Sequence, residues 1–169
     1  AGAAAVVLPH WACAGTKGIN TPFAAEEILY QQQALLYSYS ALEPAIDAMT
    51  MEIHYSKHAA AYTKNLTDAL TAEAVDPTKE KLTALLGKIS KYSAKMRNNG
   101  GGHYNHEFFW KSMKAPAEGN APAGTVLQSI QKDFGSVDTF KTQFADAGKN
   151  RFGSGWAWLY RDSAGLLKI

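Results

Sequence analysis

The chain has 169 residues, 46% of them apolar and 19% charged, with a formal net charge of +2. That is enough for one domain with a core. The small charge and the absence of any Lys/Arg cluster argue against nucleic acid or an anionic membrane as partner. Cys13 is the one cysteine, which excludes an internal disulfide, a CxxC redox pair and a thiolate cluster, so any metal must be held by nitrogen and oxygen. The apolar run Ala3 to Pro9 is far shorter than the ~20 residues of a spanning helix, so no transmembrane segment is expected.

Residues 1 to 25 contain no Asp or Glu, no Arg and a single Lys, Lys17. Such an acid-poor stretch suits either the remnant of an organelle targeting peptide or a structural extension that binds a partner. Residues 1–36 are therefore read as an N-terminal extension. Pro22 to Leu36, with Phe23, Ile28, Leu29, Leu35 and Leu36, is predicted to form a short amphipathic helix, Pro22 being well placed near its start.

From about residue 37 the pattern is helical. Thr50 is predicted to cap a helix running to about Leu70, without Pro or Gly inside. On it His54, His58 and Tyr62 recur every four residues and so share one face. After a break at Asp76-Pro77, a second helix is expected from Thr78 to about Ile89, with Leu82, Leu85 and Leu86 as its apolar stripe. Asn98 to Gly102 reads as a turn, its three glycines allowing positive φ or close backbone approach. A helix carrying His103, His106 and Trp110 follows.

Lys114 to Gly124 is the strongest linker signal and separates a helical domain, 37–115, from a second, 124–169. The second domain should hold a helix over Thr125 to Phe134 and another capped by Ser136 and running to about Asn150. It should close with a hairpin in which Ser154 to Tyr160 turns at Asp162 to Gly165 into Leu166 to Ile169. An isolated hairpin is marginal in water, so the sheet is expected to continue.

Five collinear motifs resemble the manganese/iron superoxide dismutases. They are Leu42-Glu43-Pro44, Met51-Glu52-Ile53-His54-Tyr55-Ser56-Lys57-His58 with Tyr62, Asn98 to Trp110 (NNGGGHYNHEFFW), Asp133 to Lys141 (DFGSVDTFK), and Arg151 to Leu159 (RFGSGWAWL). The resemblance covers Ala41 to Ile169. It implies an α+β fold: an N-terminal helical hairpin domain, then the start of a mixed α/β C-terminal domain, truncated at the second strand. It also implies dismutation of superoxide to dioxygen and hydrogen peroxide by a redox-cycling metal.

By the same resemblance His54 and His106 are metal ligands. His58 and Tyr62 line the substrate entrance, Trp156 and Trp158 wall the metal pocket, and Trp110 and Phe109 pack behind. Gly102 is similar to the manganese-type pattern, where iron-type members often place Gln, so manganese is the expected metal and iron the alternative. Family members are dimers or tetramers, so a homo-oligomer or a larger assembly is expected, in the mitochondrial matrix or a plastid. The family's remaining Asp and His ligands match nothing up to Ile169. They are expected from a longer chain, and the alternative is a non-catalytic dismutase-like structural subunit of an organelle assembly.

Without the family, two plainer readings stand. His54 could be a hydrogen-bonded core histidine, as is common in an arbitrary helix. Alternatively His54, His58, His103 and His106 could serve a helical-bundle metal or oxygen site, although such sites usually include Glu on the same faces and only Glu52 and Glu107 lie near. His103 is read as structural.

Overall fold

The computed structural model describes residues 27–169. The readings made for residues 1–26, including Cys13 and the targeting remnant, lie outside the described residues. The fold is α+β, in two compact units that divide at Pro116/Ala117, within the irregular stretch that follows the first unit's last helix.

In the first unit a 3₁₀ turn at Tyr39–Leu42 and a cis Glu43–Pro44 peptide lead into α1, Ala48–Ile53. The cap of α1 is Asp47 rather than Thr50: its Oδ1 accepts the Thr50 N–H at 2.8 Å and its Oδ2 the Thr50 hydroxyl at 2.7 Å. Thr50 has the cap's chemistry, but it lies inside the first turn. The chain continues through a π-helical segment, His54–Ala59, into α2, Ala60–Ala72. A π segment widens the turn and is frequent at functional sites, and this one carries His54 and His58.

Helix α2 ends in a Schellman motif, with Val75 N–H bonded to Leu70 O at 2.9 Å and Ala74 N–H to Thr71 O at 3.2 Å. Ala74 takes the left-handed position, φ 52°. The next helix is shorter than the sequence pattern predicts: α3 spans only Leu82–Gly87, followed by a 3₁₀ turn at Ile89–Lys91. Thr78 belongs instead to a turn held by Asp76, whose Oδ1 accepts both its N–H and its hydroxyl.

Helix α4 runs from Ala94 to Lys111 and is capped by the Ser93 hydroxyl. It absorbs the predicted turn at Asn98 to Gly102 completely. Here the glycines serve close approach. A Cβ on Gly100 would stand 3.4 Å from Leu86, and one on Gly102 would fall 2.3 Å from the Tyr62 ring. At these two positions packing overrides the ~1 kcal/mol penalty of a helical glycine. Leu66, Ala69, Leu70, Leu82, Leu85 and Met96 form the core between α2, α3 and α4, together with Ile28.

Residues 27–38 form no helix, contrary to the pattern of Leu29, Leu35 and Leu36. Hydrogen bonds to the helical hairpin hold this strap instead. His103 Nε2–H donates to Leu29 O at 2.8 Å, the Tyr37 hydroxyl donates to Trp110 O at 3.0 Å, and both the N–H and the C=O of Gln33 are bonded. Backbone groups satisfied by partners elsewhere have no need of a helix.

The second unit holds α5, Gly124–Phe134, and α6, Val137–Lys149, the latter capped by Ser136. Gly135 between them has φ 81°, a left-handed conformation that suits glycine. Ile130 and Phe140 are its buried centre, with Phe140 between the rings of Phe134 and Phe144. The hairpin is real but short. Strand β1, Tyr160–Arg161, pairs antiparallel with β2, Leu167–Lys168, and Leu167 N–H is fixed by Asp133 Oδ2 at 2.7 Å. The alternating residues from Ser154 to Leu159 are not paired in a strand. No helix among the described residues is long and apolar enough to cross a membrane.

Candidate metal centre

His54 on the π segment and His106 on α4 are 52 residues apart in sequence, and their Nε2 atoms approach to 3.1 Å. The ring of His106 is fixed from behind, its Nδ1 lying 2.7 Å from the carbonyl of Gly102. A carbonyl only accepts, so Nδ1 carries the proton and the lone pair of neutral His106 is at Nε2, the atom that faces His54. That is the tautomer a metal ligand requires. Nitrogens each ~2.1 Å from a shared cation stand roughly 3.0–3.4 Å apart, so the observed spacing suits one ion between the two rings. The chemistry of the pair therefore fits a first-row cation and does not by itself select manganese, iron or zinc.

His58 belongs to the same cluster: the ligand atoms of His54, His58 and His106 all lie within 4.8 Å of one another. Burial grades across the three, with His106 buried, His54 intermediate and His58 exposed, so the cluster opens to solvent on the His58 side. Tyr62 closes the group. Its ring stacks on His106 (5.2 Å, 29°) and meets His58 edge-on (5.2 Å, 86°). Only glycine at position 102 leaves room for that ring against α4.

Behind the pair, Trp110 stands edge-on to His54 at 5.0 Å, with Phe109 beside both. Trp156 and Trp158 belong to the second unit.

Electrostatics favour neutral imidazoles. Burial, helped by the neighbouring His106 and His58, pushes His54 down to about 4, and burial also lowers His106 against the opposing pull of its bond to Gly102. Neutral rings are ready to ligate without releasing a proton. His103 is different. It is 1% exposed, and with its Nε2–H on Leu29 O its Nδ1 accepts the Thr63 hydroxyl at 2.9 Å. Both nitrogens are committed to the protein, so it is a satisfied interior histidine that joins strap to hairpin.

Glu107 is the residue sequence reasoning undervalued. It is 2% exposed, burial raises its pKa, and Oε2 accepts the Gln33 N–H at 3.0 Å. Its spacing carried a signal. Met96, Gly100, His103, Glu107 and Trp110 recur at intervals of four and three and are all buried, a stripe on which Glu107 is the one acid.

Fold and site together define a helical-hairpin protein with paired imidazoles facing one another across two helices. Residues 29–114 match the family model of the iron/manganese superoxide dismutase alpha-hairpin domain, and residues 122–169 match that of the C-terminal domain. The chain belongs to the iron/manganese superoxide dismutase family.

It is 47% identical over 141 residues to a manganese superoxide dismutase of Acinetobacter baylyi, covering 83% of this chain and 61% of the relative. To manganese superoxide dismutase 1 of Leptolyngbya boryana it is 48% identical over 139 residues, covering 80% and 55%. To an iron superoxide dismutase of Raoultella planticola it is 48% identical over 136 residues, 79% of each chain. The chain thus spans about three-fifths of the length of the first two relatives. Relatives named for either metal stand at nearly the same identity.

Proposed function

We propose that the protein is a superoxide dismutase, converting two superoxide ions and two protons to dioxygen and hydrogen peroxide. The observation that carries the reading is the 3.1 Å approach of the His54 and His106 Nε2 atoms in a chain of this family. His54 and His106 hold the metal, which when bound supplies reversible one-electron exchange between its +3 and +2 states. The Gly102 carbonyl keeps the His106 proton on Nδ1, so the ring can donate its Nε2 lone pair without a protonation change.

His58 and Tyr62 are assigned to the open side, lining the way in from solvent to the paired histidines. The aromatic wall of Trp110 and Phe109 behind His54 keeps bulk water from that face. Manganese is the proposed metal. Support comes from Gly102, whose lack of a side chain admits the Tyr62 ring, and from the resemblance of the surrounding motif. Organelle residence is proposed on the acid-poor residues 1–25, and homo-oligomerisation on the family.

The test is superoxide consumption by the protein loaded with Mn²⁺ and, separately, Fe²⁺, with metal content measured alongside, for the parent and for His106→Ala. The expected result is metal-dependent activity, with one dioxygen formed per hydrogen peroxide, lost in His106→Ala. Equal activity in His106→Ala, or none in a metal-loaded parent, would overturn the reading.

A further inference from the structure

The backbone of one strap residue is bonded to both histidine-bearing elements. Gln33 N–H donates to Glu107 Oε2 at 3.0 Å, and the Tyr55 hydroxyl donates to Gln33 O at 2.7 Å. Glu107 follows His106 and Tyr55 follows His54. Gln32 adds a third bond, its Nε2 donating to Tyr55 O at 3.0 Å. The path from His54 through Tyr55, Gln33 and Glu107 to His106 is therefore closed by two hydrogen bonds at the back and by the 3.1 Å nitrogen pair at the front.

We propose that the Gln33 backbone is a clamp that sets the spacing of His54 and His106, with Glu107 and Tyr55 as positioning residues. The inference rests on reading His54 and His106 as metal ligands. Two features favour a clamp over incidental satisfaction of polar groups. First, Glu107 is an acid at 2% exposure whose Oε1 has no hydrogen-bond partner among the described residues. Burying a carboxyl costs several kcal/mol unless it is bonded, so the Gln33 bond is what its placement obtains. Second, the Tyr55 ring leans on Trp110 at 5.9 Å, and Trp110 in turn faces His54, so loss of the Gln33 contact frees a ring that touches the site. A carboxyl and a phenol that bond the N–H and the C=O of one residue fix a distance between two helices, which apolar packing, able to slide, does not.

The test uses the full chain with Co²⁺ alone as probe, followed by its visible ligand-field absorption. Tyr55→Phe removes one hydroxyl and keeps the ring, and Glu107→Leu removes the acceptor, whereas Glu107→Gln retains an oxygen that accepts the Gln33 N–H. Tyr55→Phe and Glu107→Leu should each weaken Co²⁺ binding about 10- to 100-fold, the range seen when residues that orient ligands are lost, and shift the absorption band. Glu107→Gln should keep the parent's affinity and band. The double variant should bind no worse than the weaker single, because both act through one residue's backbone.

In the metal-free chain, a nuclear Overhauser contact between the His54 and His106 rings should persist in the parent and Glu107→Gln and be lost in Tyr55→Phe. Parent-like affinity, band and ring contact in Tyr55→Phe would overturn the clamp, even if thermal stability falls. A parent that shows the ring contact but takes up no Co²⁺ would fail the metal reading instead, and the ring contact in Tyr55→Phe would still decide the clamp.

Discussion

The two halves of helix α4 are held in different ways. In the first half Met96 and Gly100 pack apolar atoms against Leu66, Leu85 and Leu86, contacts that depend on shape and area. In the second half His103, His106, Glu107 and Trp110 are equally buried, yet what they share is hydrogen bonds and ring contacts with the strap and the π segment. One half supplies stability through area removed from water, and the other fixes directions. The comparison teaches that the site rides on a helix whose foundation lies a turn or two away, so stability and metal binding should be separable.

The largest effect should break that foundation. Leu85→Ala, at a fully buried position, is expected to cost about 2–5 kcal/mol, read by denaturant unfolding. The folded fraction should keep the parent's Co²⁺ spectrum, and a shifted spectrum would show that the halves are coupled.

A sharper test compares two adjacent glycines. Gly102→Ala drives a methyl into Tyr62 and should cost about 1–3 kcal/mol by overpacking, with the Tyr62 ring moved off His106. Gly101→Ala meets nothing within 4 Å and should stabilise the helix by up to about 1 kcal/mol. Thermal unfolding of the pair, with His106 ring-proton shifts, checks both.

The next effect is on pH. The neutral forms of His54 and His106 are favoured in the folded chain, so the unfolded chain binds protons first on acidification. Stability should be unaffected by these groups above about 6.5 and fall as pH drops from there toward 4. Urea unfolding at stepped pH measures the slope, which should be shallower in His54→Ala. The smallest effect lies in the second unit. Ser136→Ala removes the cap of α6 and should cost about 1 kcal/mol with metal binding unchanged.

Much of the helical hairpin was legible in the sequence because its apolar residues recur with helical spacing. Thr125 to Phe134 and the Ser136 cap were readable for the same local reason. What misled was chemistry that points two ways. Three successive glycines signal a turn when read locally, but Leu66 and Leu86 pack on Gly100 and Tyr62 on Gly102, and those partners are far off in sequence. Leu29, Leu35 and Leu36 mimic a helix, but His103, Glu107 and Tyr55 hold that backbone extended from other elements.

The histidine pair was found through its motifs, since nothing local says that residues 54 and 106 meet. The role of Glu107 stayed hidden because an acid beside a histidine is ordinarily solvated. Only its place on the buried stripe marks it.

The central claim is that His54 and His106 hold the metal. Its most direct test is pulsed electron paramagnetic resonance of the Mn²⁺-loaded protein with ¹⁵N-labelled histidine, for the parent and His106→Ala. The account expects at least two imidazole nitrogens coupled to the ion in the parent and that coupling reduced or lost in the variant. Bound Mn²⁺ without imidazole coupling, or the same coupling in His106→Ala, would contradict it.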